Sequence, residues 1–96
     1  MTTVETVARM LANLKGIDTT RGDWPRALRT IDAIVALCPE APGEVRDRGA
    51  VLAKLGDARA AIRDFEAYLR GAPGAADADE VRRHLRALRQ SVGVLN

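Results

Sequence analysis

Cys38 and His84 are the first residues a search for catalysis would pick, because a thiol and an imidazole that meet can act as nucleophile and base. They stand 46 positions apart and neither has a motif around it. Cys38 directly precedes a proline that ends an apolar stretch, which is the place of a half-buried packing thiol. His84 falls in a run of charged residues and reads as solvated. One cysteine and one histidine are too few for the usual zinc ligand sets. Asp77, Asp79 and Glu80 suggest metal or acid–base chemistry, but carboxylates gather at a helix start anyway, where the dipole favours them. The eight glycines are scattered and form no phosphate-cradling loop. The residues therefore point to no catalytic centre, no metal and no cofactor, and the chain is expected not to be an enzyme.

A second chemistry is phosphate contact. Arg82, Arg83, Arg86 and Arg89 fall within two helical turns of each other and could meet a nucleic-acid backbone. Aromatic residues for base stacking are missing beside them, and acidic residues are interspersed through the rest of the chain. A solvated capping face explains the four arginines better; an acidic protein partner stands beside nucleic acid as the alternative, and a nucleic-acid-associated helical protein is the third functional reading.

The elements that must position these residues follow from composition and period. The chain has 96 residues, enough for one small domain. It is 47% hydrophobic but only 3% aromatic, so its core must be built on Leu, Val, Ile and Ala. A net charge of +2 is nearly balanced, and 13 of the 15 basic residues are arginine. Apolar positions recur at spacings of three and four, which predicts an all-α fold. No stretch approaches the length of a membrane span, and the start lacks the basic and apolar parts of a signal peptide. A cytoplasmic location is expected.

Five helices are predicted. The first runs from about Thr3 to Thr20 behind a Thr2-x-x-Glu5 capping box, with Val4, Val7, Leu11, Leu14 and Ile17 as its inward stripe. Gly22 permits the turn, and Asp23 caps a second helix whose first turn holds Pro25. Ala27, Leu28, Ile31, Ile34 and Val35 face inward, and Pro39 and Pro42 mark a break. The third helix, about Gly43 to Leu55, buries Val45, Leu52 and Leu55, and Gly49 admits a close neighbour. Asp57 opens the fourth, which buries Ala61, Ile62, Phe65, Tyr68 and Leu69. Residues 71–76 link it to a fifth helix starting at Asp77-x-x-Glu80, with Val81, Leu85 and Leu88 on one side. SVGVLN reads as a frayed tail.

Residues 22–39 return at residues 56–73. Gly22, Asp23, Ala27, Leu28, Ile31, Val35 and Pro39 meet Gly56, Asp57, Ala61, Ile62, Phe65, Leu69 and Pro73, always at an offset of 34. On these residues the chain resembles a tetratricopeptide domain. The resemblance implies two helical hairpins, repeat 1 over about 8–41 and repeat 2 over about 42–75, with a capping helix over about 77–92. The whole chain, 1–96, would be one short right-handed α-solenoid. A narrower likeness links RMLANLKGI, RGDWPRAL and EAYLRGAPGAADADEVRRHL to the C-terminal repeat tail of bacterial transglutaminase-like proteins, whose catalytic domain has no counterpart here.

The resemblance also implies where function lies, on a groove lined by the first helices of the hairpins. Its candidate contacts are Arg9, Asn13 and Thr20 from the first helix and Arg46, Asp47 and Lys54 from the third. The function expected is a non-catalytic protein–protein interaction module holding a peptide or a partner's helix. Ala12 and Gly16 replace the Lys and Asn that some such domains use to hold a C-terminal carboxylate, which excludes that activity. An accessory or dimerising tail, pairing through the first helix, is the alternative.

Overall fold

The computed structural model describes residues 2–95, with side-chain detail through residue 93. Five helices follow one another: α1 (Thr3–Arg21), α2 (Trp24–Leu37), α3 (Pro42–Lys54), α4 (Ala58–Gly71) and α5 (Ala78–Leu95). There is no strand among the described residues. Each helix packs on the next in chain order, α1 on α2 through to α4 on α5. The fold is an all-α helical repeat.

Local chemistry sets the boundaries. Thr2 and Glu5 form the capping box that starts α1, with Glu5 N–H donating to Thr2 Oγ1 at 3.1 Å and Thr2 N–H donating to Glu5 Oε2 at 3.3 Å. The ends of α1 and α3 are then built alike. Gly22 and Gly56 take the left-handed conformation, with φ of 70° and 84°. The next N–H folds back in both cases: Asp23 donates to Asp18 O and Asp57 to Leu52 O, each at 2.9 Å. The same two aspartates then cap α2 and α4, accepting from Arg26 N–H and Ala60 N–H at 3.2 Å. One Gly-Asp pair thus ends a helix, turns the chain and starts the next helix, and it does so twice.

The repeat persists into the core. Ala27, its counterpart Ala61 and Ile31 are fully buried, and Phe65, the counterpart of Ile31, nearly so. Ala27, Ile31 and Val51 form one cluster, joined by Trp24, Leu28 and Val35. Phe65, Tyr68, Val81 and Leu85 form the other, joined by Ile62, Leu69 and Leu88. Burying one such side chain is worth about 2 kcal/mol, so the two clusters carry most of the fold. Gly49 is buried where α3 crosses α4. Between the clusters, Arg48 of α3 holds Asp64 of α4 by both carboxylate oxygens, at 2.8 and 3.0 Å, and reaches Asp32 of α2 at 3.3 Å.

The first helix departs from its expectation. Val4, Val7, Leu14 and Ile17 were expected inward but are 50%, 39%, 43% and 47% exposed, and Met10 beside them is 60% exposed. The reason is that α1 has one packed neighbour, α2, and only a narrow strip of Ala8, Leu11, Lys15, Asp18 and Thr19 is withdrawn from solvent. Asp18 is the buried residue of that strip; it accepts from Thr30 Oγ1 at 3.0 Å, with Arg26 at 3.6 Å. Leu55 also lies outside the core it was assigned to, and Val45 and Leu52 are half-buried. SVGVLN is not a frayed tail through residue 95, because α5 continues to Leu95; Asn96 lies outside the described residues.

Candidate functional site

Helices α1, α3 and α5 line one face, and α3 runs along its middle. A cavity of about 300 Å³ opens on one side of α3, lined by Lys15 and Thr19 of α1, Trp24 and Ile31 of α2, and Asp47, Ala50, Val51 and Lys54 of α3. A second, of about 410 Å³, opens on the other side, lined by Ala50, Ala53 and Lys54 of α3, Phe65 of α4, and His84, Ala87 and Leu88 of α5. Ala50 and Lys54, one turn apart, belong to both. The two cavities are therefore one trough with α3 as a low ridge across it. The ridge is low because alanine stands at 50 and 53, where a larger side chain would close the trough.

Most charges around the trough are already matched. Lys15 Nζ lies 3.0 and 2.9 Å from the two Glu44 oxygens and 3.0 Å from Asp47, joining α1 to α3. Burial works to lower the pKa of this ammonium, but the pull of Glu44 and Asp47 exceeds it and leaves the group above its ordinary value. Arg46 donates to Asp47 and, at 3.0 Å, to Asp77, and its guanidinium lies 5.6 Å from the centre of the Tyr68 ring. Tyr68 donates its hydroxyl to the other Asp77 oxygen. That bond, with Arg46 behind it, holds the Asp77 carboxyl below its usual range; the same bond raises the Tyr68 hydroxyl above its own, against the opposing pull of Arg46. Asp77 thus ties α3 and α4 to the start of α5. Lys54 differs from these groups: its ammonium lies 5.8 Å from the centre of the Trp24 ring.

The six residues expected to line the groove are dispersed. Asp47 and Lys54 line the trough. Arg46 sits beside it, half-buried in the network with Asp47, Asp77 and Tyr68. Arg9, Asn13 and Thr20 are exposed on α1 and line neither cavity, and the Thr20 hydroxyl donates to Gly16 O at 2.7 Å. From α1 the trough takes Lys15 and Thr19 instead.

Trp24, Ile31, Phe65, His84, Ala87 and Leu88 were not foreseen there. One signal would have found three of them: His84, Ala87 and Leu88 follow Ala50, Ala53 and Lys54 at the same offset of 34, so α5 continues the series of first helices. His84 is exposed, yet its ring centre lies 6.3 Å from that of Phe65. Of the four α5 arginines, Arg82 is held by Asp79 and Pro73 O, and Arg89 by Glu66. Cys38 is partly buried. Among the described residues no three His, Cys, Asp or Glu side chains are grouped to hold a metal ion, and no helix is long and apolar enough to cross a membrane.

Two hairpins built on one step, with a closing helix and a trough across the first helices, define a helical-repeat protein. A family model described as Tetratricopeptide repeat matches residues 14–86, and the chain belongs to that family. Repeats of this class suggest a protein–protein interaction module. The chain is 37% identical over 79 residues to a UPF0162 protein of Xylella fastidiosa strain Temecula1, a match covering 82% of this chain and 28% of that protein. It is 31% identical over 70 residues to the UPF0162 protein YchA of Escherichia coli strain K12, covering 73% and 26%. The chain therefore spans little more than a quarter of these relatives. Their names state no activity, and neither speaks of a transglutaminase-like protein.

Proposed function

We propose that the chain is a non-catalytic interaction module that holds a segment of a partner protein in the trough across α3. The observation that supports this reading is the pair of apolar cavities sharing Ala50 and Lys54 on one face. A trough of this kind, apolar in its floor and edged by a few charges, suits a partner's side chains better than a small molecule held on all sides. Asp47 and Lys54 are direct contacts, and Arg9, Asn13 and Thr20 stand exposed at the α1 edge for a longer partner. A photoreactive benzoylphenylalanine placed at Ala50 is expected to yield covalent adducts with other proteins in bacterial cells. The same group at Arg29, exposed on α2, is expected to yield few. Equal labelling from both positions, or none from Ala50, rejects the reading.

The bare face of α1 favours a second reading, in which two copies of the chain pair through it. Val7, Met10, Leu14 and Ile17 lie on one side of this helix, and Arg21, in its last turn, continues that side. Two such faces can meet antiparallel about a two-fold axis, which sets their two Arg21 side chains at opposite ends. Light scattering on the isolated chain would then give twice the monomer mass, and Met10→Glu would return it to the monomer. A monomer at high concentration removes this reading.

A further inference from the structure

Building on the trough reading, we propose that its occupant is an acidic amphipathic helix. Two apolar side chains of that helix sit one on each side of α3, and a carboxylate between them meets Lys54.

The spacing argues for a helix. The cavities are separated by the width of α3, and packed helices lie about 8–10 Å apart. On a ligand helix, positions seven apart are on one face and about 10.5 Å apart, and the position four after the first lies between them on that same face. All three side chains can then point into the trough together. In a β-strand, residues three apart cover a similar distance but point to opposite sides, so one of the two cavities would stay empty.

The charges argue for an acid. Lys15 is matched by Glu44 and Asp47, Arg46 by Asp47 and Asp77, and Arg48 by Asp64 and Asp32. Lys54 is exposed, stands at the junction of both cavities, and has no carboxylate partner among the described residues. The Trp24 ring holds its ammonium in place through a cation–π contact, which orients the charge without neutralising it. A carboxylate placed over the ridge would complete that site. A lysine or arginine at the same place on the ligand would meet like charge, since Asp47 is already held by two cations.

The test uses a fluorescein-labelled synthetic helix of alanine and glutamine, stapled on its far side. It carries two leucines seven positions apart and a glutamate four after the first. A second peptide has glutamine in place of the glutamate. Fluorescence anisotropy is expected to show the glutamate peptide binding about two- to fivefold more tightly, the range of one exposed ion pair. Lys54→Met should remove this difference between the two peptides. Ala50→Trp, at an exposed position, should abolish binding of both peptides without moving the thermal unfolding midpoint.

Equal binding of the two peptides, lost in Ala50→Trp, would reject the acid while leaving the trough reading intact. Failure of both peptides to bind a protein that still crosslinks from Ala50 would reject the helix and again leave the trough. Binding that survives Ala50→Trp would overturn the inference and the trough reading alike.

Discussion

The Cβ that Gly49 lacks would lie 2.9 Å from Cδ1 and Cε1 of Phe65, and 3.3 Å from Asp64 Cβ. The ring is almost wholly buried and packs with Tyr68, Val81 and Leu85, so a shift that makes room for the Cβ disturbs that cluster and moves the ring toward the cavity it lines beside α5. This close approach presses α3 onto α4 and lets Arg48 reach Asp64. One repeat earlier, the same two places hold Lys15 and Ile31, and a cavity opens between them instead.

Gly49→Ala therefore sets two effects against each other. Alanine favours the helix by about 1 kcal/mol, whereas overpacking a well-packed contact costs about 1–3 kcal/mol. Because two ring atoms are obstructed at once, we expect a net loss of about 1–2 kcal/mol, read from the urea midpoint. In a Phe65→Leu background the same change should be neutral or stabilising. A stabilising effect in the parent protein would mean that α3 and α4 separate easily.

Lys15→Met should loosen α1. The ammonium is the link from α1 to α3, and its loss leaves Glu44 and the Asp47 oxygen it holds without that donor. A partly exposed pair of this kind is worth about 1 kcal/mol. Hydrogen exchange should show faster amide exchange along α1 with α4 unchanged, because α1 has one packed neighbour. Uniform acceleration over all five helices would contradict this.

Tyr68→Phe should flatten the dependence of stability on pH. The Asp77 carboxyl is held low by Tyr68 and Arg46, so its contribution is present above the ordinary carboxylate value of about 4 and fades as pH falls below it. The Tyr68 hydroxyl is raised, so its contribution is present below about pH 10 and fades as pH climbs past that value. In the variant the alkaline shoulder of this residue disappears. The acid shoulder shrinks but persists, because Arg46 still holds Asp77. Urea midpoints at about pH 3, 7 and 10.5 test this, and an unchanged profile would show that the Tyr68–Asp77 bond contributes nothing.

The two capping aspartates should be equivalent. Asp23→Ala and Asp57→Ala each remove a side-chain acceptor from a helix start, at about 1 kcal/mol apiece. Asparagine at either place should restore most of that loss, since it accepts the same bond. Thermal melts of the four variants check it. A loss at one site only would mean that the repeats are not energetically alike.

Much of the architecture was legible because it is written in local chemistry. Gly22 and Gly56 need no distant contact to turn the chain, and Asp23 and Asp57 need none to cap a helix. The offset of 34 joined them into two hairpins before any contact was known. Gly49 was legible as a close approach for the same reason, since a glycine inside an apolar helical pattern has few other uses. The trough was legible only in part. Which side of α1 turns inward depends on how many helices surround it, and spacing alone reports a stripe without reporting whether anything covers it. Its apolar stripe was therefore assigned to a core that α1 does not reach.

What the sequence determined by itself was the helices, their caps and the repeat, because each depends on residues close in the chain or on a constant step along it. What the tertiary structure decided was which side chains meet. It placed Lys54 over Trp24, Lys15 between Glu44 and Asp47, and Tyr68 with Arg46 on Asp77. These contacts join residues from different helices, and their geometry follows from how closely α3 lies on its neighbours, a distance that no single helix encodes.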